Sequence, residues 1–224
     1  MRKTKIIATL GPASDSDEII EQLIRSGTDV FRLNMSHAQH DWVRDSVPRI
    51  RSLSEKLGKF VAVLMDLQGP SIRTGDLSKE LQLKEGDLCE LCLGSAESCI
   101  ENSTTVNYPG LAEDLSVGDI VLVDNGVIQL NVMQLADDRI SCSVLTDGVL
   151  GSRRHINLPG ITVRLPGLTE KDMDDAMLGA EMGVDFLGLS FAREAAHIEE
   201  LRGAIERADS CAQIVAKIED KQAM

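Results

Sequence analysis

The sequence has no apolar run approaching the roughly 18 to 20 residues of a membrane-spanning helix, so no segment is expected to cross a bilayer. No secretory leader is expected either. The basic start Met1-Arg2-Lys3-Thr4-Lys5 gives way to only a short strand-like run before Gly11-Pro12, and the expected compartment is the cytoplasm. Positive charge is scarce: 23 Lys and Arg stand against 36 Asp and Glu, a formal net charge of -13. That balance argues against nucleic acid or an anionic membrane as the main partner. It leaves room for a phosphorylated substrate, provided the few cations, or metal ions, gather at one spot. An even cysteine count is also lacking. Cys89, Cys92, Cys99, Cys142 and Cys211 are an odd number without a leader, which suggests reduced thiols. Cys89-x-x-Cys92 invites a zinc or redox reading. Its surroundings read as a strand, however, where residues three apart point to opposite faces.

Apolar residues make up 43% of the 224, enough for a substantial core in one large domain or two small ones. The first third alternates strand and helix. Ile6 to Leu10 is a short apolar run, followed by a helix opened by Ser14 or Asp15 and stopped by Gly27. Asp29 to Asn34 reads as a second strand. Val43, Val47, Ile50 and Leu57 recur at helical spacing up to Gly58. Phe60 to Met65 is a third strand, apolar on both faces, and such strands alternating with helices predict a parallel sheet buried on both sides. From 75 to 164 no helical period persists. Short strands alternate with turn signals, and Asn125-Gly126 predicts a two-residue hairpin. Alternation resumes from 165. Thr169-Glu170-Lys171-Asp172 resembles a capping box, Val184 to Phe191 reads as a strand, Ile198, Leu201 and Ile205 mark a helix, and Gln213 to Glu219 reads as a fifth strand. The expected fold class is α/β. Residues 1–74 and 165–224 form a partial (β/α)8 barrel, about five strands of eight, and an all-β, barrel-like domain is inserted at 75–164.

In such a barrel, functional groups lie at the C-terminal ends of the strands. Polar residues do cluster there: Arg32 to His37, Asp66-Leu67-Gln68, Ser190-Phe191 and Lys217-Ile218-Glu219. Arg73 and Arg153-Arg154 flank the insertion. An arginine fork reads phosphate or carboxylate oxygens at two points. A lysine two residues before a glutamate on a strand points the same way, so a cation and a metal-binding carboxylate can share one substrate. The residue types alone suggest an anion site for phosphoryl transfer or enolate chemistry. They also admit plainer roles: Asn34 and Ser36 as loop caps, His37 as a hydrogen-bonding loop residue, Arg153-Arg154 as an exposed basic pair, and Lys217-Glu219 as a structural ion pair.

Several segments together resemble the pyruvate kinase family: Thr4 to Pro12, Phe31 to His37, Met65 to Gly75, Ile156 to Gly160 and Ala216 to Glu219, in the family's order and spacing. The resemblance implies transfer of the phosphoryl group of phosphoenolpyruvate to ADP, giving pyruvate and ATP. It implies that Arg32 binds substrate phosphate and that Lys217 stabilises the transferring group and the enolate oxygen. Glu219 becomes a ligand of Mg2+ or Mn2+. Asn34, Ser36, Asp66 and Leu67 match the potassium ligands, Leu67 through its carbonyl. Asn34, Met35, Ser36, His37, Arg73 and Arg154 match nucleotide-linked positions, with the insertion closing as a lid. The resemblance further implies a homo-oligomer, tetrameric in the full-length protein.

Three departures accompany it. Leu67-Gln68 stands where the family usually has Thr-Lys, and Ser71 where it has Glu or Lys, which leaves potassium dependence open. The family's second metal carboxylate, a later threonine-bearing loop and its C-terminal domain find no match in the 224 residues, so an N-terminal portion of a longer enzyme is expected. Two other readings remain. One is a metal-dependent aldolase or lyase of the phosphoenolpyruvate/pyruvate barrel type, against which the insertion and its arginines speak. The other is a naturally short, non-catalytic binding protein.

Overall fold

A computed structural model describes residues 3–94, 96, 100–219 and 223; Cys99, one of the five cysteines, lies outside the described residues. The chain divides into two compact units, one of residues 1–70 with 166–224 and one of residues 71–165. Each has its own apolar core.

The first unit opens with strand β1 (Ile7–Thr9) and helix α1 (Asp17–Ser26). The cap of α1 is Ser16, whose side chain accepts from the Ile19 amide, rather than Ser14 or Asp15. Ser14 instead closes its own turn with the Gly11 backbone, the competing use that makes serine a poor marker of helix starts. Gly27 ends α1 at φ 102, a left-handed conformation suited to glycine. Strand β2 (Val30–Asn34), helix α2 (His40–Lys56) and strand β3 (Ala62–Asp66) follow. Phe60, expected in β3, lies outside it and is fully exposed.

The second unit contains strands β4 (Leu81–Leu83), β5 (Leu88–Leu93) and β6 (Ser103–Val106), helix α3 (Leu111–Asp114), and strands β7 (Ile120–Val123), β8 (Ile128–Ala136), β9 (Arg139–Val144), β10 (Gly148–Leu150) and β11 (Ile156–Asn157). Six strands form one sheet in the order β11-β7-β8-β9-β5-β6, and β10 pairs with β4. The unit is not purely β: α3 is a single turn, too short to leave a period in the sequence. The hairpin at Asn125-Gly126 exists with a longer connection. Val123 pairs with Ile128, and Asp124, Asn125 and Gly126 all take positive φ. Cys89 stands opposite Cys142 on neighbouring strands, both fully buried, and burial pushes each thiol up to about 12.

The first unit then resumes with helix α4 (Glu170–Glu181), strand β12 (Phe186–Leu189), helix α5 (Ala195–Arg207) and strand β13 (Gln213–Ala216). Thr169 and Asp172 form the expected capping box. β13 is shorter than expected, so Lys217 and Glu219 lie just beyond the strand. The five strands are parallel, in the order β1-β2-β3-β12-β13. Phe31, Leu33, Val63, Met65, Leu187 and Leu189 are buried in the core shared with the helices. The opposite face is not fully buried, contrary to the apolar look of the strands: Ile7 and Val215 are exposed. The sheet is a curled half-barrel of five strands among the described residues. What matters for function is that the C-terminal ends of β2, β3, β12 and β13 are neighbours.

Candidate active site

Three strand ends of the first unit converge on Asp66, at the end of β3 and nearly fully buried. Arg32, on β2, reaches its Oδ2 with Nε at 2.7 Å and Nη2 at 2.6 Å. Lys217, just after β13, donates to Oδ1 at 2.9 Å. The register explains the meeting. Asn34 pairs with Asp66 across β2 and β3, Gly188 pairs with Asp66 across β3 and β12, and Ala216 pairs with Leu189. A Cβ on Gly188 would stand 2.9 Å from Asp66 Oδ1, so the missing side chain leaves room for the carboxylate. Arg32 also donates to the Thr9 hydroxyl at 3.1 Å.

Ser190 was singled out only as a strand-end residue, and it proves to be a connector. Its hydroxyl accepts from Lys217 Nζ at 2.7 Å and donates to the Leu67 carbonyl at 2.6 Å. Glu219 stands 3.6 Å from Lys217 Nζ and accepts from the Phe191 amide at 2.9 Å. Phe191 holds that amide at φ 53, an unusual conformation for a bulky residue, and the Arg193 guanidinium lies 5.8 Å from its ring centroid. The cations are only partly desolvated: Arg32 and Lys217 keep about 30% of their side chains accessible. Asp66 and Glu219 balance the two cations in formal charge, while Arg32 and Lys217 each keep part of the charged side chain open to solvent.

The loop after β2 supplies the next wall. The Asn34 side chain accepts from the Ser36 amide at 3.2 Å, and the Met35 amide donates to the Asp66 carbonyl at 3.0 Å. Lys171 of α4 donates to the Met35 carbonyl at 2.8 Å and to Asp175 at 2.6 Å, while His40 meets the other Asp175 oxygen at 2.7 Å. A groove of about 660 Å³ runs along this loop, lined among others by Pro12, Asp15, Asn34, His37 and Trp42. The sequence marks Pro12 as a turn and Asp15 as a helix start, but nothing in their spacing from Trp42 marks a shared wall.

The second unit brings two of the expected arginines together by itself. Thr74 and Arg154 exchange two hydrogen bonds, each 2.8 Å, and Arg73 bridges to His155. Arg73 donates to the Ser71 hydroxyl at 3.2 Å and to the Arg153 carbonyl at 3.1 Å. Arg153 is spent in a two-point ion pair with Asp76, whose carboxyl it holds below the usual range. Arg154 is less committed: its guanidinium is 3.7 Å from Asp124 and its Nε is buried without a hydrogen-bond partner.

Metal-binding capacity can be judged from the donors. Among the described residues no three His, Cys, Asp or Glu side chains gather into a ready-made metal cage. Glu219 offers one partly exposed carboxylate, which fits Mg2+, an ion that commonly takes one or two carboxylates and completes its shell with substrate phosphate and water. The oxygens of Asn34, Asp66 and Leu67 fit a monovalent cation by type. Each already accepts from Ser36, from Arg32 and Lys217, or from Ser190 respectively.

Comparison with known proteins fits this geometry. The family described as "Pyruvate kinase, barrel domain" matches residues 1–224. The pyruvate kinases of Staphylococcus aureus strains USA300, NCTC 8325 / PS 47 and COL are each 38% identical over 225 residues. The alignments cover 99% of this chain and 38% of each relative, so the chain spans well under half the length of the curated relatives it matches.

Proposed function

The chain belongs to the pyruvate kinase family, and we propose that the protein carrying it transfers the phosphoryl group of phosphoenolpyruvate to ADP, giving ATP and pyruvate. The observation that carries the reading is the meeting of Arg32 and Lys217 on Asp66 at the strand ends. Two anions must approach in line, and positive groups fixed in advance lower the cost of that approach. Arg32 binds the substrate phosphate. Lys217 offsets charge on the transferring phosphoryl group and then on the enolate oxygen left behind, before that enolate is protonated on carbon. Ser190 keeps the Lys217 ammonium in place.

Glu219 would hold Mg2+ or Mn2+, which would supply Lewis-acid neutralisation of charge on the substrate. Asn34, Ser36, Asp66 and the Leu67 carbonyl would hold K+. Asn34 to His37 bind ADP or ATP, with the base in the groove beside Trp42. Arg73 and Arg154 contribute to the nucleotide phosphates. The same reading makes the protein cytoplasmic, homotetrameric, and without nucleic-acid or membrane partners. No helix of the described residues is long and apolar enough to cross a membrane.

Pyruvate release measured with and without ADP tests the proposal. Lys217→Met should lower kcat by about 10²- to 10³-fold with the fold intact, the scale of losing one preorganised charge-stabilising donor. Pyruvate release that needs no nucleotide would point to a lyase and sink the assignment. Replacing potassium with tetramethylammonium should leave much of the activity. Ser71 contributes no charge, and Asp66 already has two cationic partners. Strict potassium dependence would refute that part.

A further inference from the structure

Trp42 is the only tryptophan of the chain, and its indole is held at one edge. Its Nε1 donates to Asp15 Oδ2 at 2.7 Å. Asp15 is braced in turn by Arg49, which lies two turns along α2 from Trp42 and therefore on the same side of the helix. Arg49 stands 3.4 Å from Asp15 Oδ1 and also donates to the Asp15 backbone carbonyl. The same guanidinium binds Asp17 and Asp45, each at 2.8 Å. Hydrogen bonds that Arg49 donates to Asp17 and then to Asp45 raise its pKa further, so the brace stays charged at any working pH. Both Asp15 and Trp42 line the groove beside Asn34 and His37.

Trp42 packs partly against the apolar core and also lines the groove, and a ring tied at its polar edge has little rotational freedom left to lose when something stacks on its groove side. We propose that Asp15 is a positioning residue, fixing the Trp42 indole as a stacking platform for the nucleotide base, with Arg49 as its brace. The inference rests on the reading that a nucleoside diphosphate occupies this groove. It adds a device in which a carboxylate ahead of α1 sets how well a ring on α2 recognises the base. A bond that merely joined two helices would matter for stability and not for base-dependent binding.

The lone tryptophan is its own reporter. ADP should quench Trp42 fluorescence in the unsubstituted protein, and pyrophosphate, the base-free probe, should bind more weakly. Asp15→Ala should weaken ADP binding about tenfold, within the range of affinity one stacked base can supply, and change pyrophosphate binding by less than about twofold. Asp15→Asn keeps an acceptor for the indole N–H and should stay within about threefold of the parent, since one neutral acceptor is preserved. If Asp15→Ala does not fold by circular dichroism, Trp42→Phe replaces it. Phenylalanine keeps a ring but cannot reach Asp15 with a donor, and calorimetry should show the same ADP-specific loss. Equal losses for ADP and pyrophosphate, or unchanged ADP affinity in folded Asp15→Ala or Trp42→Phe, would overturn the proposal. ADP that binds by calorimetry without disturbing Trp42 would overturn it as well. Failure of the unsubstituted protein to bind ADP at all would instead remove the nucleotide reading on which it rests.

Discussion

Asp66 is the residue on which the site turns, because one nearly buried carboxylate holds two cations on separate oxygens. Asp66→Asn keeps the shape and removes the charge, leaving Arg32 and Lys217 close together with no counter-charge between them. The expected outcome in urea titration is a loss of roughly 2 to 3 kcal/mol, the range for charged hydrogen bonds, discounted for the partial exposure of both cations. Activity should fall together with stability, whereas Lys217→Met separates the two. The thiols give a second residue-scale prediction. Cys211 is exposed, while Cys89 and Cys142 are buried and raised to about 12, so they offer little thiolate. Ellman's reagent should label Cys211 quickly and reach Cys89 and Cys142 only on unfolding; prompt labelling of either would contradict the packing. Arg32, Asp66 and Lys217 stood out in the sequence because charged residues closing apolar strands are conspicuous. The Ser190 connection and the Asp15–Trp42 bond did not, since neither residue's type nor spacing shows which distant atom it will meet.

At the level of elements, α4 shows how much a local signal conveys and where it stops. Thr169 and Asp172 read as a capping box from four consecutive residues, and they form one. What stayed hidden is that the same Asp172 carboxylate accepts from the Gly69 amide at 2.9 Å, tying the loop after β3 to the start of the helix. Gly69 sits at φ 70 with Ser190 atoms 2.8 Å from where its Cβ would be, so that loop runs too close to β12 for any side chain. Asp172→Ala should therefore cost more than an ordinary cap. It removes the bonds to Thr169 and leaves a buried amide unpaired, together about 2 to 3 kcal/mol. Ser16→Ala, which deletes a solvent-exposed cap, should cost only about 1 kcal/mol. Thermal melts of the two variants compare them directly, and equal costs would mean the Gly69 bond contributes nothing. The same limit accounts for α3 and for the connection between β7 and β8. A single helical turn has no period to detect, and Asn-Gly marks a reversal without fixing its length, which here also depends on the Asp124 amide bonding to the His155 carbonyl.

Across the whole molecule there are two cores, and the second begins earlier than the change of rhythm near residue 75 suggests, since Ile72 already belongs to it. Residues 71–165 bury their own set, among them Leu91, Leu111, Ile128 and Leu130. A segment of that size with a contiguous core should fold by itself, and residues 71–165 expressed alone should unfold in one cooperative transition. Asp114 gives that transition a pH signature. Its side chain is almost inaccessible and receives the Tyr108 hydroxyl, the Arg164 amide and the Arg164 guanidinium. Burial acts to raise its carboxyl, but the bonds from Tyr108 and Arg164 outweigh burial and hold it below the usual range. A carboxyl depressed on folding binds its proton more readily in the unfolded chain. Its contribution is therefore complete above the unfolded value, near 3.8, and disappears as pH falls through the folded one. Urea midpoints of the segment should fall as pH drops below about 4, and Asp114→Asn should be less stable at neutral pH with a shallower acid decline. An Asn variant as stable at pH 7 as the parent, or equally steep toward acid, would show that the Tyr108–Asp114–Arg164 cluster does not hold α3 to the end of the unit.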